Sequence, residues 1–279
     1  VTASLLASGD PFARGDPSID APDTDFLRHL LAALAALAGG AVNSIAGGGT
    51  LITFPALVAL GIPPVTANAT NTVALWPGAL GSLWGYRGEL RGLRRWALVF
   101  AVPSVLGGTA GALLLVLTPP SQFEKLAPWL VLGATALFQA QRPLARLRRG
   151  LQEGDTPRSG RAPLPLLGLQ FTVAVYGGYF GAGIGILMLA ALAQMGFSNI
   201  HQMNGLKNWG GLCINLTAAI AFATAGLVNW PLAASMAAAA IAGGYLGSRL
   251  ALRVPQRWVR RAIVTIGVAA SLWLLLRPR

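Results

Sequence analysis

The sequence predicts an all-α integral membrane protein: a duplicated helical bundle in inverted repeats, each repeat a glycine-broken hairpin plus three spans. Three observations carry this reading. The chain is 54% hydrophobic and only 11% charged, where a soluble domain carries about 25% charged residues. Its apolar segments approach the ~20 residues that a helix needs to cross a hydrocarbon core. Glycine runs, polar-sprinkled segments and Gly-x-x-x-Gly pairs then recur in the same order in both halves.

Residues 1–25 form a polar N-terminal tail with Asp10, Asp16, Asp20, Asp23 and Asp25 among Pro11, Pro17 and Pro22. It shows no cleavable signal pattern, and its composition predicts flexibility. Apolar segments follow near 26–46, 66–86, 96–117, 126–141, 163–180, 208–228, 230–250 and 259–276. Helices are the spanning element, because backbone polar groups in lipid must be satisfied within their own segment. The first membrane repeat is 26–141 and the second 163–279. Between them, 142–162 is a basic linker containing Gly150, Gly154, Pro157 and Gly160.

The repeat rests on four matched features. AVNSIAGGGTLITFPALVALG (41–61) pairs with GGYFGAGIGILMLAALAQMG (177–196), and 66–86 pairs with 201–222. Gly107 and Gly111 pair with Gly243 and Gly247, and each half closes with a Pro-containing link and a last span.

The net charge of +12 does not point to nucleic acid. Nineteen of the 21 basic residues are Arg, mostly in three clusters between apolar segments: 87–95, 142–161 and 249–261. Basic short loops are the positive-inside signal. If each glycine break makes a hairpin that enters and returns, all three clusters fall on the cytoplasmic side. If each crosses once, the third cluster faces outside. The rule favours three crossings per half in inverted arrangement, with linker 142–162 cytoplasmic and the N-terminal tail periplasmic. Arg277 and Arg279 fall outside in this scheme and count against it. Eight plain spans in parallel repeats are the alternative.

Candidate site residues follow from the breaks. Gly47, Gly48 and Gly49, and Gly183 and Gly185 in the second half, let the backbone leave helical geometry and approach a ligand. A half-helix restarting after such a break presents free N–H groups and partial positive charge to an anion. Close helix packing is the competing role of these glycines, and the one read at Gly107/Gly111 and Gly243/Gly247. Asn68, Thr70 and Asn71, matched by Asn204 and Asn208, offer uncharged donors to an oxyanion, or else interhelical hydrogen bonds. Asn68, Asn71 and Thr72 share one helix face, as do Asn204, Lys207, Asn208 and Asn215. Lys207 is the sharpest residue, because an ionisable group inside a span is costly and marks function by default. Snorkelling to the interface is its alternative.

All nine carboxylates lie in the tail, at segment ends or in the linker. No metal-ligand cluster and no catalytic pair stands within the spans, so no catalytic residues, metal or cofactor are assigned. The lone Cys213 excludes an intramolecular disulfide.

The string Ala46-Gly-Gly-Gly-Thr-Leu-Ile-Thr-Phe-Pro-Ala-Leu57, then Gly61-Ile-Pro-Pro-Val-Thr-Ala-Asn-Ala-Thr-Asn71, resembles the opening of the TauE/SafE sulfite-exporter family of bacterial membrane proteins. Asn204-Gly-Leu-Lys207-Asn208, Gly226-Leu-Val-Asn-Trp-Pro231 and Ala242-Gly-Gly-Tyr-Leu-Gly-Ser-Arg249 resemble its C-terminal repeat. The resemblance covers about residues 26–276. It implies export of sulfite or an organosulfonate such as sulfoacetate across the inner membrane. The first half departs from it slightly, with three consecutive glycines where many relatives carry a longer run. The expected partners are a small anion and the lipid bilayer. Coupling to H⁺ or Na⁺ and homo-oligomerisation stay open. Transport of another small anion, or a non-transporting role as a membrane partner or assembly subunit, is the alternative function.

Overall fold

The computed structural model describes residues 22–45, 48–85, 87–149, 164–197, 199–250 and 256–277. Among the described residues the chain is all-helical, with no strand. The helices are α1 (Pro22–Ile45), α2 (Thr50–Ala59), α3 (Pro64–Gly85), α4 (Arg87–Arg91), α5 (Arg94–Leu117) and α6 (Pro120–Arg149), followed by α7 (Leu164–Tyr179), α8 (Ile184–Gln194), α9 (Ile200–Thr224), α10 (Trp230–Leu250) and α11 (Gln256–Leu276). Among the described residues, two stretches, Asp25–Asn43 and Arg94–Leu117, are by length and composition apolar enough to cross a membrane. The hydropathy of α3 and α9 is diluted by their Asn, Thr and Lys residues, and that of α6 by its arginines.

Element boundaries differ from the sequence reading in three places, the first being α1, which begins at Pro22 inside the segment read as a flexible tail. Helix α6 continues to Arg149, eight residues into the segment read as linker, because Leu144-Ala-Arg-Leu-Arg-Arg149 consists of strong helix formers. A five-residue helix, α4, also stands in the basic loop after α3.

The short helices α2 and α8 end alike. At Gly61 (φ +86°) the Ile62 N–H donates to Leu57 O at 3.1 Å and the Gly61 N–H to Val58 O at 3.1 Å. At Gly196 (φ +90°) Phe197 and Gly196 donate in the same way to Leu192 O and Ala193 O, at 3.2 and 3.0 Å. This is the Schellman stop, which needs a left-handed residue that glycine adopts without steric cost. The N-cap of α9 is Asn199, whose side chain accepts from His201 N (2.9 Å) and Gln202 N (3.3 Å).

Helix pairing follows the small residues. Helix α1 lies along α10, and α5 lies along α7. A Cβ at Gly107 would stand 2.5 Å from Phe171 O, and one at Gly111 would stand 2.8 Å from Tyr179 N, so α5 and α7 touch backbone to backbone. On the other side, a Cβ at Gly243 would stand 2.8 Å from Leu37 C and one at Gly247 2.5 Å from Ala41 Cα. Close approach through glycine replaces the hydrophobic drive that lipid does not supply. Helix α3 packs on α9 and α10, α9 on α5, and α6 on α11.

The core is aromatic where the two breaks meet. Phe54 on α2 stacks edge-on against Phe180, with centroids 5.2 Å apart, and against Phe123 at 6.5 Å. The outside is apolar as well: Leu98, Val102, Leu106, Leu113 and Leu117 on α5, Ile220 on α9, Ile241 and Leu246 on α10 and Leu272 on α11 are all exposed. A shell of exposed aliphatic side chains around a packed helical core suits a hydrocarbon surround.

Candidate functional site

Both glycine breaks open onto one cavity of about 130 Å³. From the first half it is lined by Asn43 at the end of α1, by Gly48 and Thr50 at the start of α2, and by Asn71, Thr72, Leu75, Gly78 and Ala79 on α3. From the second half come Phe180, Gly181, Gly183, Ile184 and Gly185 around the break, then Lys207, Asn208, Gly211 and Asn215 on α9. Met188 on α8 and Ala240 and Gly244 on α10 complete it with Gly40 of α1. A buried water needs about 10–15 Å³ of such volume, so a small anion with some of its hydration fits.

The wall is polar through two α-helical faces. Asn71, Thr72, Leu75 and Ala79 on α3 correspond, at one constant sequence separation, to Lys207, Asn208, Gly211 and Asn215 on α9. The i, i+1, i+4, i+8 spacing places each set on one side of its helix. Among the described residues of the lining, Lys207 is the only charged one. Its counterpart Asn71 is neutral and buried, and is tied to α2: the Thr53 hydroxyl donates to Asn71 Oδ1, and Asn71 Nδ2 donates to Thr50 Oγ1 at 3.4 Å. The two halves therefore meet as one cationic and one neutral wall.

Backbone at both breaks contributes. Gly183, at φ +78°, begins α8, and the first turn of α8 faces the cavity through Gly183, Ile184 and Gly185. The first turn of α2 faces it through Gly48 and Thr50. The N-terminal ends of α2 and α8, with their partial positive charge, thus face the same space, while Leu51 N, Ile52 N and Ile186 N already donate to Gly48 O, Gly49 O and Gly183 O. A Cβ on Gly185 would stand 3.3 Å from Lys207 Cδ, so glycine here leaves room for the lysine stem to lie across the start of α8. The Gly49 N–H donates to Asn43 Oδ1 at 3.4 Å, which ties the end of α1 to the start of α2.

Of the residues singled out in the sequence, Gly48, Asn71, Gly183, Gly185, Lys207 and Asn208 line the cavity together. Asn68, Thr70, Gly49 and Asn204 do not. Asn68 is fully buried and its Nδ2 donates to Tyr179 O at 3.0 Å, clamping the last turn of α7 just before the second break. Its Oδ1 is buried without a partner among the described residues. The Thr70 hydroxyl accepts from Asn229 N at 3.0 Å, and Asn229 in turn accepts from Leu232 N at 3.2 Å at the start of α10. Gly49 is buried against Gly39 of α1. Gly47 lies outside the described residues. Asn43 and Thr50 were absent from the candidates. Each is a polar residue within three turns of the glycine run in otherwise apolar sequence, and that proximity was the available signal.

Among the described residues no group of His, Cys, Asp and Glu is arranged to hold a metal. Among its described residues the lining offers one cation, amide and hydroxyl groups, two helix N-termini and no carboxylate.

Comparison with known proteins relates the chain to membrane transporters. A family model described as Sulfite exporter TauE/SafE matches residues 31–274. The chain is 31% identical over 228 residues to a probable membrane transporter protein of Haemophilus influenzae, covering 80% of this chain and 85% of that one. It is 30% identical over 263 residues to the probable membrane transporter protein ORF9 of a Sinorhizobium species, covering 91% and 95%. It is also 30% identical over 254 residues to the probable membrane transporter protein YfcA of Escherichia coli K12, covering 86% and 87%. No solved structure matches the chain. The chain belongs to the sulfite exporter TauE/SafE family of membrane transporters.

Proposed function

We propose that this chain is a multi-pass exporter of the bacterial inner membrane that carries a small sulfur-containing anion, sulfite or an organosulfonate such as sulfoacetate. The observation that carries the reading is the cavity between the two breaks, where among the described residues the one charge is Lys207 and the other polar groups are hydroxyls or neutral amides. A desolvated anion needs a balancing cation and several donors, and a cation substrate would need the opposite. The sulfur in the substrate is supported by the family description alone.

In this reading Lys207 neutralises the anion, Asn43, Thr50, Asn208 and Asn215 donate to its oxygens, and backbone N–H groups at Gly48, Gly183 and Gly185 complete the shell. Asn68 and Thr70 hold the walls from behind, and Asn71 in the lining is held in place by Thr50 and Thr53. The inside-negative potential favours anion efflux by about 2.3 kcal/mol per charge per 100 mV, so export requires no carboxylate relay.

The architecture is read as two inverted repeats. Its support is the exchange of partners between halves: the first helix of each half lies on the penultimate long helix of the other, α1 on α10 and α7 on α5. The re-entrant form of the breaks is supported by Gly39 of α1 standing against Thr53 of α2, and Gly177 of α7 against Ile184 of α8. Binding at the repeat interface by broken helices is the arrangement that alternating access employs.

Proteoliposomes loaded with sulfite, sulfoacetate, sulfate or chloride test the substrate. Potential-driven efflux of sulfite or sulfoacetate well above that of chloride is expected. Equal efflux of all four would contradict a sulfur-anion site, and efflux of none would remove the transport reading.

A further inference from the structure

Helix α5 presents a continuous outward face that begins in arginine and ends in aliphatic side chains. Arg94 and Arg95 open the helix and are exposed, as is Arg91 at the end of α4. Leu98 is 65% exposed, Val102 60% and Leu106 58%. At 100° per residue these α5 positions lie within one third of the helix circumference. The opposite face, with Trp96, Phe100 and Ser104, is buried.

The arginines are held there by the residues between them. Leu93 is buried and Leu90 half-buried in a cluster with Trp96, Phe197 and Leu192, and Trp96 stacks edge-on with Phe197 at 5.0 Å. The α4–α5 turn is therefore anchored by its apolar residues and aims its guanidiniums outward. Arginine forks match phosphate oxygens, and a stripe of exposed aliphatic side chains one helix turn deeper matches an acyl chain.

From this face we propose that α4–α5 docks one anionic phospholipid, its headgroup phosphate on Arg91, Arg94 and Arg95 and one acyl chain along Leu98, Val102 and Leu106. The site is joined to the transport cavity. Trp209 on α9, two residues beyond Lys207, donates its indole N–H to Ala97 O on α5 at 2.9 Å. A Cβ on the next residue, Gly210, would stand 2.7 Å from the Phe100 ring. Lipid seated on the first turns of α5 thus steadies the helix that carries Lys207. The inference rests on the membrane placement proposed above.

Native mass spectrometry of protein released from nanodiscs of equal phosphatidylglycerol and phosphatidylcholine tests it. Incorporation into nanodiscs tests membrane placement, and the lipid adducts test docking, so the two fail separately. Wild-type protein should retain phosphatidylglycerol over phosphatidylcholine. A surface arginine near a membrane strengthens anionic lipid binding by about fivefold, so Arg91→Gln/Arg94→Gln/Arg95→Gln should abolish the preference. The corresponding triple Lys variant should keep most of it. Leu98→Gln/Val102→Gln should weaken retention while leaving the headgroup preference. Retention of phosphatidylglycerol by the triple Gln variant at wild-type level overturns the proposal. So does its full displacement by millimolar glycerol phosphate, which would mark a free-phosphate site with no acyl component.

Discussion

At the residue scale, the paired positions Asn71 and Lys207 differ in what surrounds them as much as in charge. Asn71 is locked by Thr50 and Thr53, whereas the stem of Lys207 lies over Gly185. Replacing Thr53 by Val leaves the buried Asn71 carbonyl without its donor. The expected loss is about 1–3 kcal/mol of stability, read as a lowered unfolding midpoint in detergent. Gly185→Ala places a methyl against a flexible stem, which shifts instead of clashing. Its expected signature is weakened substrate affinity in efflux assays with an unchanged melting temperature. A melting temperature reduced as far as that of Thr53→Val would show that Gly185 serves packing.

At the element scale, the glycine pairs do for α5 and α10 the same work on opposite sides of the bundle. Gly111→Ala pushes a methyl into the backbone of α7 at Tyr179, and Gly247→Ala pushes one into α1 at Ala41. Both meet main chain that cannot rotate away, so each should cost about 1–3 kcal/mol as overpacking does. Parallel thermal unfolding of the two variants checks this; a large loss for one and none for the other would deny the equivalence. The all-helical class was legible in the sequence, because hydropathy is a local signal. The division of the polar residues was not. Asn68 and Asn71 share a helix face by spacing, yet Asn68 ends on the Tyr179 carbonyl of α7, a contact set by the packing of distant segments. Asn43 accepts from the Gly49 N–H at the break, yet it reads as an isolated amide in otherwise apolar sequence. The extension of α6 was also obscured, because its arginines and Pro143 resemble linker composition.

At the scale of the whole molecule, one cationic and one neutral wall facing each other across a cavity give a site with a single net positive charge. The proposed orientation rests on the arginines. A reporter fused within 150–160 should read cytoplasmic under the positive-inside rule, and a periplasmic signal would invert the scheme. The central claim is that anion movement depends on Lys207. It is tested most directly by efflux of sulfite and sulfoacetate from proteoliposomes under an imposed inside-negative potential, comparing wild type with Lys207→Ala of matched incorporation and melting temperature. The account predicts that efflux falls to the protein-free background in the variant, with partial recovery in Lys207→Arg. Efflux by Lys207→Ala at the wild-type rate would contradict it.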